Sequence, residues 1–298
     1  MAEAQVVITQ RGAERLFAGH LWVYRSDIRG AEASPGDAVR VCDERGRFLG
    51  RAFYSDSSQI SVRLVTREDV PIDRDFLVAR IRAAAAFRDR VVEDTQVCRL
   101  IYGEADQLPS LIVDRYADWL VIQTLSQATE RRKSEIVEIL QEIFSPRGIV
   151  ERNDPKVRLL EGLDQKVSLL AGDVPPDVIA LENGVRFHFD LFKGQKTGGF
   201  LDQRENRRAA ASYASGDVLD CFTYNGGFAL TIAAHCRQVE AIVKIPWENR
   251  TWPLPRQSGQ LMRAAPSLLP CPRQAEHSSR RGKVTGISLP FATSDRSI

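Results

Sequence analysis

Alternating hydrophobic and polar residues characterise the beginning of the chain. Four runs rich in β-branched and aromatic residues stand out: residues 6–8, 39–41, 48–53 and 60–65. Turn signals such as Pro35-Gly36-Asp37 separate them. This pattern predicts short strands that form a small barrel or sandwich over residues 1–72.

Helical spacing replaces the alternation after Pro71. The apolar residues of a first predicted helix share one face, and Asp73 can cap its start. These apolar residues are Leu77, Ile81, Ala84, Phe87 and Val91. A second helix is predicted over residues 129–144, where an apolar face opposes a charged face. With apolar runs at 111–113 and 120–124, the pattern indicates a mixed α+β domain over residues 73–178.

A third pattern starts near residue 178. Asn183-Gly184 lies between two alternating runs and is typical of a type I′ hairpin. Asp202 can cap a helix that continues to Tyr213. Strands predicted at 218–222 and 239–243 flank a Gly-rich turn and a helix of small apolar residues. This order opens a doubly wound α/β domain, which we place at residues 179–245.

The formal net charge of +2 is an average over two unlike parts. Residues 246–298 carry a net charge of +5 and seven of the fourteen prolines, whereas the preceding 245 residues carry −3. The prolines interrupt any helical or strand period, so we expect an aberrant, disordered tail at 246–298. Leu269-Pro270-Cys271-Pro272 resembles a nucleophile motif, but no strand pattern surrounds it.

Composition excludes several classes of protein. Hydrophobic residues make up 43% and charged residues 27%, which is typical of a globular chain. No apolar run approaches the roughly 18 residues of a membrane helix, and no secretory signal is evident. The five cysteines are scattered without a CxxC or Cys/His cluster. We therefore expect no metal site, no membrane association and a cytoplasmic location.

Two segments carry candidate chemistry. The first is the strand-turn-helix stretch at residues 220–228, where glycines allow a ligand to approach the backbone closely. The alternative is a tight turn without a ligand, and the absence of Gly-x-Gly-x-x-Gly disfavours a dinucleotide. The second is the Gly-, Lys- and Arg-rich stretch at 192–207, either a binding loop or a loop that caps a basic helix. It is not a Walker A loop, because Gln195 separates Gly194 from Lys196.

Both segments resemble the bacterial class I S-adenosylmethionine-dependent 23S rRNA cytosine-C5 methyltransferases. The similarity lies in Gly194-Gln195-Lys196-Thr197-Gly198-Gly199-Phe200-Leu201-Asp202-Gln203-Arg204-Glu205-Asn206-Arg207 and in Asp220-Cys221-Phe222-Thr223-Tyr224-Asn225-Gly226-Gly227-Phe228. Residues 11–24 and 58–63 resemble the start and last strand of that family's RNA-binding PUA domain. Residues 102–116 resemble its central domain. The similarity extends from about residue 6 to about residue 243.

The resemblance implies an α/β protein of several domains: a PUA-like β-barrel, a central α+β domain and a truncated Rossmann-like methyltransferase domain. It further implies S-adenosyl-L-methionine as cofactor and 23S rRNA as partner. The implied cofactor-binding residues are Asp220, Phe222, Tyr224, Gly226, Gly227, Gln195, Lys196, Phe200, Asp202, Arg204 and Asn206. The implied RNA-binding residues are Arg11, His20, Trp22, Tyr24 and Arg63. Alternatively, Trp22 and Tyr24 belong to the core and His20 caps a turn.

The family pattern stops inside the second predicted strand of the α/β domain. The strand ends at Val243-Lys244, without the carboxylate that would hold the cofactor ribose. The family's nucleophilic cysteine, which adds to cytosine C6, would lie on a later strand. We therefore leave the catalytic residue unassigned, and we expect a missing or frame-shifted C-terminal part. For this chain itself we expect no turnover and poor or absent cofactor binding. An RNA-binding protein without catalysis and a nucleotide-dependent oxidoreductase are the alternatives, and a homodimer is left open.

Overall fold

The computed structural model describes residues 3–242 in full and the backbone of residues 243–244 and 259–264. Its contacts divide the chain into two compact units. The first unit comprises Met1–Glu182 and Phe187–Leu201, and the second comprises Asn183–Arg186 and Asp202–Ile298. The predicted barrel and central domain thus belong to one unit. Most of the predicted tail lies outside the described residues, but residues 259–264 form a strand, contrary to the disorder expected there.

A six-stranded sheet forms the N-terminal part of the first unit. Its strands are β1 (Gln5–Ile8), β2 (Trp22–Tyr24), β3 (Ile28–Glu32), β4 (Ala38–Asp43), β5 (Phe48–Tyr54) and β6 (Ile60–Thr66). The order is β2-β6-β5-β4-β1-β3, with β1 parallel to β4. Helix α1 (Gln10–Phe17) begins where the Thr9 side chain accepts a hydrogen bond from the Gly12 amide. The four predicted strands are present as β1, β4, β5 and β6.

A five-stranded sheet follows in the same unit. Its strands are β7 (Val97–Tyr102), β8 (Leu111–Tyr116), β9 (Trp119–Thr124), β10 (Gly148–Asn153) and β11 (Lys166–Gly172). The order is β11-β10-β9-β8-β7, and β9 and β10 pair in parallel. Helices α2 (Arg74–Val91), α3 (Gln127–Arg131) and α4 (Lys133–Phe144) accompany this sheet, and α2 and α4 contribute to its core.

The helices agree with the predicted pattern except at two places. Asp73 caps α2 by accepting from the Phe76 amide at 3.0 Å, as predicted. However, Phe87 and Val91 at the end of α2 are 46% and 50% exposed, so its apolar face is buried only over the first turns. The helix predicted over 129–144 is divided at Arg132, which lies between α3 and α4 and donates to the Gly36 carbonyl at 2.7 Å.

The two sheets of the first unit share a core. Phe53 and Val65 from the first sheet belong to the same apolar cluster as Leu77 and Leu120. Hydrogen bonds such as the one from Arg132 to Gly36 also join the two parts. This shared core explains why the predicted boundary at residue 72 does not separate two compact units.

A hairpin of β12 (Val178–Glu182) and β13 (Val185–Phe189) follows along the chain, and Asn183–Arg186 at its turn are assigned to the second unit. Asn183 and Gly184 have φ angles of 50° and 74°, as a type I′ turn requires. In the second unit, helix α5 (Arg204–Tyr213) starts at Gln203 without a side-chain cap. Asp202 instead lies in a 3₁₀ turn, so its predicted capping role is wrong.

The second unit contains a strand-helix-strand arrangement. Its elements are β14 (Asp217–Asp220), α6 (Gly227–Ile232), β15 (Gln238–Lys244) and β16 (Gly259–Ala264). β14 and β15 are parallel, as predicted, and β16 pairs antiparallel with β15. A small cluster from α5, α6 and β15 forms the core of this unit. Within the described residues, no helix has the length and apolar character needed to span a membrane.

Candidate functional site

Asp220 organises the turn that follows β14. One carboxylate oxygen accepts from the Phe222 amide at 3.3 Å, and the other accepts from the Ala229 amide of α6 at 3.2 Å. The backbone reverses between them through positive φ angles at Tyr224 (49°) and Gly226 (81°). A charged acceptor strengthens such hydrogen bonds, so Asp220 holds the turn in a defined shape. This turn contains five of the predicted cofactor-binding residues.

Gly227 allows a close approach between the turn and α5. A Cβ atom at this position would lie 3.2 Å from Cδ of Arg207, whose side chain is buried. The buried Thr223 hydroxyl has no hydrogen-bond partner, whereas the Phe222 ring is 84% exposed. The turn therefore packs closely against α5, while its Phe222 ring is accessible to solvent and its Thr223 hydroxyl lacks a hydrogen-bond partner. Arg207 has no predicted role, although its position in the motif of residues 194–207 is a signal that could have identified it.

The remaining candidates of the second unit lie around the start of α5. Arg204 pairs with Glu205 at 2.5 Å and is largely covered. Asn206 donates to the Gln203 side chain at 2.9 Å, and Asp202 is exposed. These contacts fix the first turn of α5, which packs against α6.

A second group of candidates lies in the first unit, on the loop of residues 193–199. Gln195 and Lys196 are exposed at its tip, and the Lys196 amine lies 4.6 Å from the centre of the Phe200 ring. The Gly198 amide donates to the Gln195 carbonyl at 3.0 Å and closes a turn. The candidate cofactor residues thus occur in both compact units. That they bind one cofactor together remains a prediction.

The aromatic candidates for RNA contact face solvent. Trp22 and Tyr24 are each 40% exposed, whereas Val23 between them is 1% exposed and in the core. The alternative that Trp22 and Tyr24 are core residues is therefore wrong. The Arg15 guanidinium lies 5.5 Å from the centre of the Tyr24 ring, and the Trp22 indole donates to Glu104 at 3.0 Å. An exposed aromatic beside a cation can stack on a nucleobase.

Arg11 belongs to an ion-pair group beside these aromatic residues. The fully buried Asp27 carboxylate accepts from Arg11 and Arg15, each at 2.7 Å. Arg11 nevertheless remains 60% exposed, so part of its guanidinium is accessible. His20 is exposed in the turn after α1.

Arg63 differs from the other RNA-binding candidates. Its side chain is buried and pairs with the buried Glu161 carboxylate at 2.6 Å. It also donates to the Ile60 carbonyl at 3.0 Å. The prediction that Arg63 contacts RNA is not supported by this position, because the charge is already paired inside the first unit. Sequence could not show this, because Glu161 is 98 residues away.

The described cysteines offer little nucleophilic chemistry. Cys42, Cys98 and Cys236 are buried, and burial raises the pKa of Cys42 and of Cys236. Cys221, in the turn after β14, is exposed. Among the described residues, no group of three or more His, Cys, Asp or Glu side chains is placed to hold a metal ion.

Comparison with known protein families assigns two segments of the chain. Residues 6–67 match the PUA-like domain family. Residues 162–253 match the S-adenosylmethionine-dependent methyltransferase family. The chain therefore combines a PUA-like domain with a methyltransferase fold. The second match includes the Asp220 turn and the loop of residues 193–199.

Relatives agree with this assignment. The ribosomal RNA large subunit methyltransferase I of Erwinia tasmaniensis is 38% identical over 245 residues, covering 79% of this chain and 62% of that protein. The same enzyme of Vibrio cholerae is 42% identical over 217 residues, covering 71% and 55%. This chain thus spans about six tenths of the length of these relatives. The crystal structure of SMU.776 in complex with SAH has a similar fold, with a TM-score of 0.70 at 19% identity, covering 83% of this chain and 64% of that one.

Proposed function

We propose that this chain acts in S-adenosylmethionine-dependent methylation of large-subunit ribosomal RNA. The observation that carries the proposal is the Asp220 turn inside a segment that matches the methyltransferase family. Relatives named as ribosomal RNA large subunit methyltransferases support RNA as substrate. The exposed Trp22 and Tyr24 on the PUA-like domain support RNA binding.

The residues of the Asp220 turn fit a small polar ligand. Gly226 and Gly227 place no side chain at the end of the turn, while Asp220 fixes its backbone. The unpartnered Thr223 hydroxyl offers a buried polar group for a ligand. We propose that Asp220, Gly226 and Gly227 hold the methionine end of the cofactor, with Phe222 and Tyr224 beside it. When bound, S-adenosylmethionine supplies an electrophilic methyl group.

We further propose that the target atom is C5 of a cytosine in 23S rRNA. The support is the family resemblance of the two motif segments. Because cytosine C5 is a weak nucleophile, this chemistry requires a thiolate to add to C6 first. Of the described cysteines only Cys221 is exposed, and no contact of Cys221 assigns it that role. The nucleophile therefore stays unassigned. The RNA base would have to leave its stack to reach the cofactor.

Two measurements test the proposed function. Calorimetric titration of the full chain with S-adenosylmethionine should show binding, contrary to the expectation from the missing C-terminal part. The Gly227→Ala substitution should weaken this binding severalfold, because the new methyl group would lie 3.2 Å from Cδ of Arg207 and shift that side chain. A gel shift with 23S rRNA fragments should show binding that Trp22→Ala and Tyr24→Ala weaken. Absence of both interactions in the wild-type chain refutes the proposal.

The target atom has its own test. Unmodified 23S rRNA is incubated with the chain and tritiated S-adenosylmethionine and then digested to nucleosides. Label in 5-methylcytidine supports the C5 assignment, and label in any other nucleoside refutes it. The same assay tests the sequence-based expectation of no turnover, which any label above background contradicts.

A further inference from the structure

Thr197 joins the loop of residues 193–199 to the five-stranded sheet. Its side chain is fully buried, and its hydroxyl lies 2.6 Å from a carboxylate oxygen of Asp114. The same hydroxyl lies 3.0 Å from the Tyr116 hydroxyl. Asp114 and Tyr116 lie on β8 and are fully buried. Two motif segments that are distant in sequence, residues 102–116 and 194–207, are therefore in direct contact.

The direction of each hydrogen bond in this contact follows from chemistry. A carboxylate only accepts, so the single proton of the Thr197 hydroxyl is donated to Asp114. Tyr116 must then donate to Thr197, and Tyr116 in turn accepts from the Gly199 amide. Burial, together with the Asp114 charge, raises the pKa of Tyr116, so its hydroxyl keeps the proton that it donates. A single arrangement of donors and acceptors thus satisfies all the polar groups of this hydrogen-bonded network.

The Asp114 carboxylate is itself held in place from the other side. Arg99 on β7 donates to its two oxygens at 2.9 and 3.0 Å. Paired hydrogen bonds of this kind fix both the charge and the orientation of a carboxylate. The anchor of the loop is therefore a rigid part of the sheet.

Close packing leaves the loop little freedom beside this anchor. A Cβ atom at Gly198 would lie 2.9 Å from the Leu191 side chain, and one at Gly199 would lie 2.9 Å from the Phe189 ring. Lys196 has a φ angle of 55°, in the left-handed region. The buried anchor and the tight packing together determine where the preceding residues, Gln195 and Lys196, project.

We propose that Thr197 is a positioning residue for the Gln195-Lys196 tip, anchored by Asp114 and Tyr116 of the central domain. The consequence for ligand binding rests on the proposed function and on the resemblance, which implies that Gln195 and Lys196 bind the cofactor. The central domain then has a role in placing the Gln195-Lys196 tip, in addition to connecting the PUA-like and methyltransferase domains along the chain.

Three substitutions in the full chain test this proposal. Thr197→Val keeps the shape of the side chain but removes the hydroxyl, whereas Thr197→Ser keeps the hydroxyl. Thr129→Val is the matched control, because Thr129 is also buried and its hydroxyl donates within the capping box of α3. The first readout is amide hydrogen exchange of residues 192–200, measured by mass spectrometry. The second is the dissociation constant for S-adenosylmethionine.

We expect Thr197→Val to accelerate exchange of the loop at least tenfold and to weaken cofactor binding at least fivefold. Thr197→Ser should stay within threefold of wild type in both readouts, and Thr129→Val should change neither. Loop exchange at the wild-type rate in Thr197→Val overturns the anchoring role. Faster exchange with unchanged cofactor affinity overturns the positioning role. If the wild-type chain binds no cofactor, the cofactor-binding part of the proposed function fails, and hydrogen exchange alone decides whether Thr197 anchors the loop.

Discussion

The sheets of the two compact units differ in how completely they are buried. Every residue of β9 and β10 in the first unit is buried. In the second unit, by contrast, no residue of β14 is buried, and its Leu219 is 54% exposed. Tyr213 on α5 is 88% exposed. Because burial of apolar surface is the main favourable contribution to folding, the stability of the described structure is concentrated in the first unit.

The first unit also buries charged groups in specific pairs. Arg63 with Glu161, Lys133 with Glu151 and Arg99 with Asp114 are all formed inside it. Removing one member of such a pair leaves a buried charge without its partner, which strongly destabilises the fold. The candidate cofactor turn lies in the second unit, whose smaller core fits the lower local stability common at binding sites. We therefore predict that substitutions at buried positions of the first unit lower the free energy of unfolding more than matched substitutions in the second unit.

Glu161→Ala should cause the largest loss. Arg63 would remain buried without its carboxylate partner, which costs about 4 kcal/mol in the free energy of unfolding. Urea unfolding monitored by circular dichroism measures this loss. The control is Glu44→Ala at the exposed pair with Arg29, where we expect a loss below about 1 kcal/mol. Equal losses in the two variants would contradict the assigned importance of the buried pair.

A matched leucine pair compares the two sheets directly. Leu120 on β9 is 1% exposed, so Leu120→Ala should lower the free energy of unfolding by about 3 kcal/mol through lost burial and a cavity. Leu219→Ala on β14 should cost less than about 1 kcal/mol, because that side chain is already half exposed. Urea unfolding of both variants provides the measurement. A larger loss for Leu219 would show that β14 is covered in solution.

The stability of the first unit should also depend on pH through Glu151. Burial alone would raise the pKa of this carboxyl, but hydrogen bonds from Lys133 and Ser168 lower it from 4.5 to about 2. A carboxyl with a lowered pKa in the folded state stabilises the fold above its ordinary pKa, and this contribution is lost as the pH falls from about 5 to about 2.

The contribution that wild type loses over this interval is up to about 3 kcal/mol, at about 1.4 kcal/mol per pKa unit. The free energy of unfolding measured at several pH values tests this expectation. Glu151→Gln cannot titrate at this position, so its stability should fall less steeply than that of wild type between pH 5 and pH 2. Identical slopes for the two proteins would exclude Glu151 as a source of acid sensitivity.

The sequence predicted local features better than long-range ones. The Asp73 cap and the Asn183-Gly184 turn depend on neighbouring residues, and both are present. The burial of Arg63 depends on Glu161. No local pattern marks this pair, because its partners are distant in sequence. The motif indicated the loop of residues 193–199 as a candidate site. The hydrogen bond that anchors this loop, from Thr197 to Asp114, joins residues distant in sequence, so only the structure reveals it.

The smallest predicted effect concerns how two helices, one from each unit, begin. Helix α2 starts with a side-chain cap from Asp73, whereas α5 starts without one. Asp73→Ala should lower the free energy of unfolding by about 1 kcal/mol, because the Phe76 amide loses its acceptor. Asp75→Ala is the control: it removes a charge from the same first turn without removing the cap, so its loss should be about 0.5 kcal/mol or less. Urea unfolding separates the two values. If both variants lose the same amount, the charge near the start of α2 stabilises the helix and the Asp73 hydrogen bond adds nothing. That result would remove the contrast between α2 and α5.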